Sequence, residues 1–270
     1  MMNLPNPRQN ALLAALDDAG CMSLMTHLEP VELERGQVLC DAGCEFRYVY
    51  FPTTAIVSLA CLTENGEGTE VAAVGNEGFV GVSVLMGGQS TTCTAEVQCA
   101  GTGYRIRAHT LQQAFNNGGP MMQILLRYTQ TLMTLMTQTA ACNRHHSVAR
   151  QLSRWLLHTL DRLPGNDMSV THQVIARALG VRREGVTEAA MNLQRGGYIR
   201  YTRGLITVLD RDGLEQQACE CYAMVARECD RLRPSSMSAG HGASASANRG
   251  HAGRGANTPV PSRINAQQRM

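Results

Sequence analysis

The residues with the most chemistry in them lie between 169 and 203. Within Ser169–Ile199, SVTHQVIARALGVRREGVTEAAMNLQRGGYI, the side chains of Arg182, Arg183, Glu184, Thr187 and Glu188 fall off the apolar side of a helical repeat. An outward arginine can donate two hydrogen bonds to guanine O6 and N7, and an outward glutamate can accept from cytosine N4. Arg200 and Arg203 follow in a short β-hairpin pattern, where guanidinium groups would meet phosphates. Thr171 and His172 open the preceding helical stretch, and its first backbone N–H groups could face a phosphate.

These groups need a rigid mount. Thr171 suits the N-cap of a helix over 172–179, Gly180 supplies a tight turn, and a second helix runs from 182 to 195, stopped by Gly196-Gly197. Ile175, Ala176, Leu179, Val181, Val186, Ala190 and Leu193 have the spacing to pack the two helices across each other. This is a helix-turn-helix pattern whose second helix fits the major groove. Tyr198–Tyr201, a Thr202-Arg203-Gly204 turn and Leu205–Leu209 read as a wing, and one last helix is predicted from Asp210 to 232.

Upstream, the chain changes character. Residues 11–28 read as two short helices broken at Gly20. Seven short apolar runs between 31 and 107, punctuated by glycines, predict a β-sandwich or a barrel-like roll. After Gly118-Gly119-Pro120 a helix begins, with Leu125, Tyr128, Leu132, Leu135, Thr139 and Cys142 at 3-4 spacing. That period suits a core helix on its own roll or a seam between two copies. The seam is the favoured reading and predicts a homodimer. Methionines 121, 122, 133 and 136 read as packing, and a further helix is expected over 148–160.

Composition narrows the classes. The 270 residues are 44% hydrophobic and 17% charged, every basic residue is arginine, and no apolar run suits a membrane span. The expectation is a cytoplasmic protein without a signal peptide. Residues 1–119 carry 5 Arg against 12 acids, whereas 120–234 carry 15 Arg against 10, so the back of the chain is the part suited to a polyanion. Residues 234–270 are rich in Ser, Ala, Gly and Asn and are expected to be disordered.

Ten cysteines are expected to be reduced thiols without a metal role. Cys142-Asn-Arg-His145-His146 has no obvious second ligand pair. Cys219 and Cys221 sit at i and i+2 of the predicted last helix, where side chains diverge. A thiol enzyme using Cys142 would show fast alkylation of that residue. His27 and His109 are the candidate haem ligands, but a lone histidine is usually structural or solvated.

The stretches Ala176–Thr187 and Gly204–Arg211 resemble Crp/Fnr-type transcriptional regulators, and the resemblance extends over about residues 20–232. It implies an α+β chain: N-terminal helices at 1–28, a cyclic-nucleotide-binding-like antiparallel β-roll at 29–119, a dimerisation helix at 120–145 and a winged helix-turn-helix at 146–233. It also implies double-stranded DNA, a second copy and RNA polymerase as partners, and no enzymatic activity. Arg183 and Glu184 match two base-reading positions of the family. At a third, often arginine, stands Glu188, which implies a different half-site.

The effector pocket would involve Gly81, Val82, Ser83, Thr92, Cys93 and Thr94. Cyclic-nucleotide binders follow the cassette glycine with glutamate and place an arginine before Ser/Thr-Ala. Here Gly81 precedes Val82-Ser83, and residues 48–104 hold no Arg, Lys or His. A buried phosphate would lack its charge-assisted partner. The roll is therefore expected to take a less anionic ligand or none. A cyclic-nucleotide response, or a winged helix that contacts protein, are the alternatives.

Overall fold

The computed structural model describes residues 6–19, 21–64, 68–88 and 90–232. The tail expected to be disordered lies outside them, as does Gly20.

The front of the chain is built on a buried asparagine. Asn10 caps α1 (Ala11–Asp18) by accepting from the Leu12 and Leu13 amides. Its own amide donates to the Pro52 and Gly78 carbonyls, both at 2.8 Å. Every polar atom of this buried side chain is thereby engaged, which is what burial of an amide requires. The short α2 (Met22–Met25) follows.

Seven strands then form the roll: β1 (Glu29–Leu33), β2 (Val38–Cys40), β3 (Tyr48–Pro52), β4 (Ile56–Leu62), β5 (Gly68–Val74), β6 (Thr94–Cys99) and β7 (Gly101–Arg107). They pair antiparallel as β1-β7-β3 and β2-β6-β4-β5. Val49, Phe51, Val57, Val74, Ala95, Val97 and Ile106 fill the core. The alternation of strand residues explains this: every second side chain points inward. Cys61 and Cys93 are joined as a disulfide, a departure from the expected thiols.

α3 (Ala108–Asn116) leads into α4 (Gly119–His145), 27 residues long. Here the structure corrects the seam assignment. Leu125, Tyr128, Leu132, Leu135, Thr139 and Cys142 are all under 9% exposed within their own chain. Four of them join the roll's core, with Val225 from the C-terminal helix packed beside them. The Tyr128 hydroxyl donates to the Phe79 carbonyl at 3.1 Å, and its ring occupies the space beside Gly78 where a side chain would stand. The 3-4 period was real, but its partners are intramolecular. Met133, read as packing, is exposed.

α5 (Val148–Leu160) starts two residues after α4 and buries nine of its 13 residues. The remaining elements are β8 (Asp167–Ser169), α6 (His172–Leu179), α7 (Arg183–Arg195), β9 (Ile199–Thr202), β10 (Leu205–Val208), α8 (Arg211–Gln217) and α9 (Glu220–Leu232). They share a second core around Leu152, Leu156, Ile175, Val186, Leu193 and Ile206. Two polar contacts, one buried and one partly exposed, tie this part to the roll. Trp155 Nε1 donates to Glu70 Oε1 at 3.0 Å, and Arg162 binds the Glu77 carboxylate at 2.8 Å.

The single last helix expected from Asp210 is two helices. Ala218 turns extended (ψ 164°) and breaks them apart. Cys219 lies in the break, so the helical argument that separated it from Cys221 does not apply. The Cys219 and Cys221 thiols instead converge with Cys142 and His146, which corrects the expectation of no metal-competent grouping.

Candidate nucleic-acid interface

Local signals position the reading helix. Thr171 Oγ1 accepts from the Val174 amide at 3.3 Å and starts α6. Gly180, at φ 65° and ψ 36°, ends it in the left-handed region, and its N–H turns back to the carbonyls of α6. Glycine tolerates this conformation because it has no Cβ to strike the following carbonyl. Val186, Ala189, Ala190 and Leu193 then bury one side of α7.

The opposite side of α7 faces solvent. Arg183, Glu184, Thr187, Glu188, Met191 and Arg195 line one open depression. Arg182, Arg183, Glu184 and Glu188 are exposed there, as expected from the sequence. Met191 and Arg195 were missed. Both continue the same outward stripe, one turn and two turns beyond Thr187 and Glu188, and the stripe's period was the available signal. An exposed methionine (56%) stands beside the charged side chains and adds apolar surface to the depression.

Two of the expected contact residues serve the scaffold instead. His172 is buried; its ring stacks on Tyr201 with centroids 4.2 Å apart, and its Nδ1 lies 3.0 Å from Thr187 Oγ1. The Thr187 hydroxyl donates to the Arg183 carbonyl at 3.0 Å, so it accepts from the His172 N–H. Burial, followed by the nearby Arg183 charge, lowers the His172 pKa and favours this neutral ring. What His172 offers outward is its backbone amide, not its imidazole.

The wing stands beside α7. β9 and β10 pair antiparallel, with β8 on the other edge of β10. Arg203 and Gly204 form the tip with φ 48° and 84°, the doubly positive geometry of a two-residue hairpin turn. Arg200 and Arg203 are both exposed. Gln194 Oε1 accepts from the Tyr201 amide at 2.8 Å and ties the wing to α7. Thr171 is exposed at the start of α6, and α7, its cap and the wing together expose five arginines (182, 183, 195, 200 and 203) against Glu184 and Glu188.

The effector-pocket residues form no comparable set. Gly81 takes φ 114° before a single 3-10 turn, Val82–Val84. Ser83 Oγ is buried and finds no hydrogen-bond partner among the described residues. Thr94 Oγ1 accepts from the Ala42 amide at 3.4 Å, Thr92 is exposed, and Cys93 is engaged by Cys61. Arg105 and Arg107, which follow the cation-free stretch, stack on Tyr48 at 4.2 and 5.8 Å, and Arg105 also pairs with Glu29.

Residues 30–117 match the cyclic nucleotide-binding domain family, and residues 150–217 match the Crp-like helix-turn-helix domain family. The chain is 28% identical over 228 residues to the global nitrogen regulator of Synechococcus elongatus, covering 77% of this chain and 97% of that protein. Its fold resembles FixK2 of Bradyrhizobium japonicum (TM-score 0.60, 17% identity, 71% of this chain and 98% of that one). It also resembles a Crp/Fnr-family transcriptional regulator of Thermus thermophilus (TM-score 0.57, 24% identity, 70% and 98%). No described helix is long and apolar enough to cross a membrane.

Proposed function

Because the chain belongs to the Crp/Fnr family of transcriptional regulators, we propose that it works as a homodimer that reads a specific duplex sequence with two copies of α7. The observation that carries this reading is the outward face of α7, where Arg183, Glu184 and Glu188 are held off a buried apolar side and face open solvent. Arg183 reads guanine, Glu184 and Glu188 favour cytosine, and Met191 meets a thymine methyl. Arg182, Arg200 and Arg203, with the amides of Thr171 and His172, hold phosphates and fix the register. Two such heads on a dimer address half-sites about 34 Å apart.

The dimer face is the outward stripe of α4. Leu126, Gln130, Met133, Thr137, Ala140 and Arg144 are exposed at 4-3-4-3-4 spacing, with Leu126 47% and Met133 55% exposed. This is the pattern of a two-helix seam, on the side opposite to the one expected from sequence. DNA as target sets the cytoplasm as the place of action, and contact with RNA polymerase follows the family pattern.

The roll does not take cyclic AMP in the family's usual way. No cation lies between residues 48 and 104, Arg105 and Arg107 are committed to Tyr48, and Cys93 is bonded to Cys61. A ligand suited to a stretch without cations is neutral or weakly anionic.

Selection of bound fragments from a random duplex pool, followed by titration at two salt concentrations, tests the reading. A selected palindromic motif with tight binding is expected. Arg183→Ala should cost about 1–3 kcal/mol and relax selectivity at one base pair. Equal binding of all duplexes by the parent would refute sequence reading.

A further inference from the structure

Four potential metal ligands meet where α4 ends and α9 begins. Cys142 comes from the last turn of α4, and His146 caps that helix. Cys219 lies in the break after α8, and Cys221 is the second residue of α9. The pairs are 77 and 75 residues apart in sequence, so only the fold brings them together. Cys142 Sγ is 3.5 Å from Cys219 Sγ, and Cys221 Sγ is 3.5 Å from His146 Nδ1. All four ligand atoms lie within 4.8 Å of one another. The three sulfurs form a buried cluster separate from both hydrophobic cores, each thiol residue under 5% exposed.

The spacing is that of a tetrahedral cage. With metal–sulfur bonds of about 2.3 Å and metal–nitrogen bonds of about 2.0–2.1 Å, tetrahedral ligands stand about 3.6–3.8 Å apart. The outer groups fit as well. His146 Nε2 faces Glu220 Oε1 at 3.3 Å, the carboxylate–histidine pairing that fixes the proton on one nitrogen and turns the other toward a metal. Gln138 Nε2 donates to Cys221 Sγ at 3.0 Å, a bond that favours a thiolate. The buried Arg154 guanidinium, which donates to Thr139 Oγ1 one turn before Cys142, supplies positive charge next to a centre of net charge −1.

We propose that Cys142, His146, Cys219 and Cys221 bind one divalent zinc ion as a closed Cys3His site. Three thiolates and one imidazole in a tetrahedral cage select zinc among the common divalent ions. Binding replaces three S–H bonds by three Zn–S bonds and releases three protons to solvent, with no change in oxidation state. The ion pins the start of α9 to the end of α4. α9 runs back along α4 from there and places Val225 against the same core as Leu132 and Leu135. Zinc occupancy therefore secures the C-terminal helix at the joint between α4 and α5.

The test uses the full chain from zinc-replete culture. Elemental analysis should give one zinc per chain. The apoprotein reloaded with cobalt should show the intense tetrahedral bands and sulfur-to-metal charge transfer of a three-thiolate site. Cys219→Ser combined with Cys221→Ser should lose the metal, whereas Cys44→Ser, at an exposed thiol elsewhere, should keep it. Glu220→Gln changes a surface side chain and should keep the fold while it weakens zinc about 10–100-fold in a chelator competition. Wild-type protein that carries no stoichiometric zinc and gives no such cobalt spectrum overturns the proposal. So does metal that survives the double variant, an unchanged affinity in Glu220→Gln, or a Cys142–Cys219 disulfide in the freshly isolated protein.

Discussion

Gly180→Ala probes the turn on which the reading helix depends. Gly180 sits at φ 65° and ψ 36°, where an L-residue loses about 1–2 kcal/mol. Its new Cβ would also stand 2.5 Å from Thr69 Oγ1 and 3.3 Å from Thr69 Cγ2 on β5. Thr69 is half-buried and must leave its rotamer, which costs about 0.5–1.5 kcal/mol. The two effects together come to about 2–3 kcal/mol, or a melting temperature about 4–12 °C lower for a unit of this size. Trp155 is the one tryptophan and sits between the roll and the second core, so its fluorescence reports the unfolding. Thr69→Ala should remove the contact part alone, and the double variant should recover roughly a third of the loss. If Gly180→Ala is neutral, or if Thr69→Ala restores all of the stability, the argument from left-handed backbone is wrong.

Other perturbations separate the remaining roles. Arg203→Ala at the wing tip should weaken all duplexes alike and lower the slope of log K against log salt by about 1; a loss confined to one sequence would contradict a phosphate contact. Leu126→Glu with Met133→Glu should convert the dimer to monomer in sedimentation, and an unchanged dimer would rule out this stripe. Burial raises the Glu70 pKa, against the opposing hydrogen bonds from Ser58 and Trp155. Its contribution to stability is full below the ordinary carboxylate range and is lost as pH rises through the raised value. Glu70→Gln should abolish that decline, because Gln98 can turn its unpartnered Oε1 toward the new amide. Parallel pH profiles for the two proteins in urea unfolding would exclude Glu70 as the source.

How much was legible in the chain depended on how local the signal was. The bounds of α6 follow from Thr171 and Gly180, two caps within the segment itself, and the wing from the Arg203-Gly204 turn. The strands of the roll were readable because glycines separate apolar runs. The inward or outward sense of α4 was not, since a 3-4 repeat serves an intramolecular core and a dimer seam equally, and Val225, the covering residue, lies far along the chain. The break between α8 and α9 contains neither glycine nor proline, so no local residue announced it. β8 pairs with β10, 36 to 40 residues away, and its three residues, exposed-buried-exposed, are too short a run to announce a strand. The sequence marks His172 for its backbone N–H at a helix start; the stacking of its ring on Tyr201, from another element, has no local signal.

α5 has a consequence for how signals pass through the protein. Along the chain it is joined to α4 by His146 and Ser147, and Gln151 and Arg154 also donate back to Asn143 and Thr139 of α4. At the same time Trp155 and, just past its end, Arg162 are lodged against Glu70 and Glu77 of the roll. A small tilt of the winged helix cannot be accommodated by bending a linker, because it must first withdraw an indole from the buried Glu70 and a guanidinium from the half-buried Glu77. Were the winged helix to turn as the proposed function requires, the step would be an unlatching of these two contacts before any gradual bend.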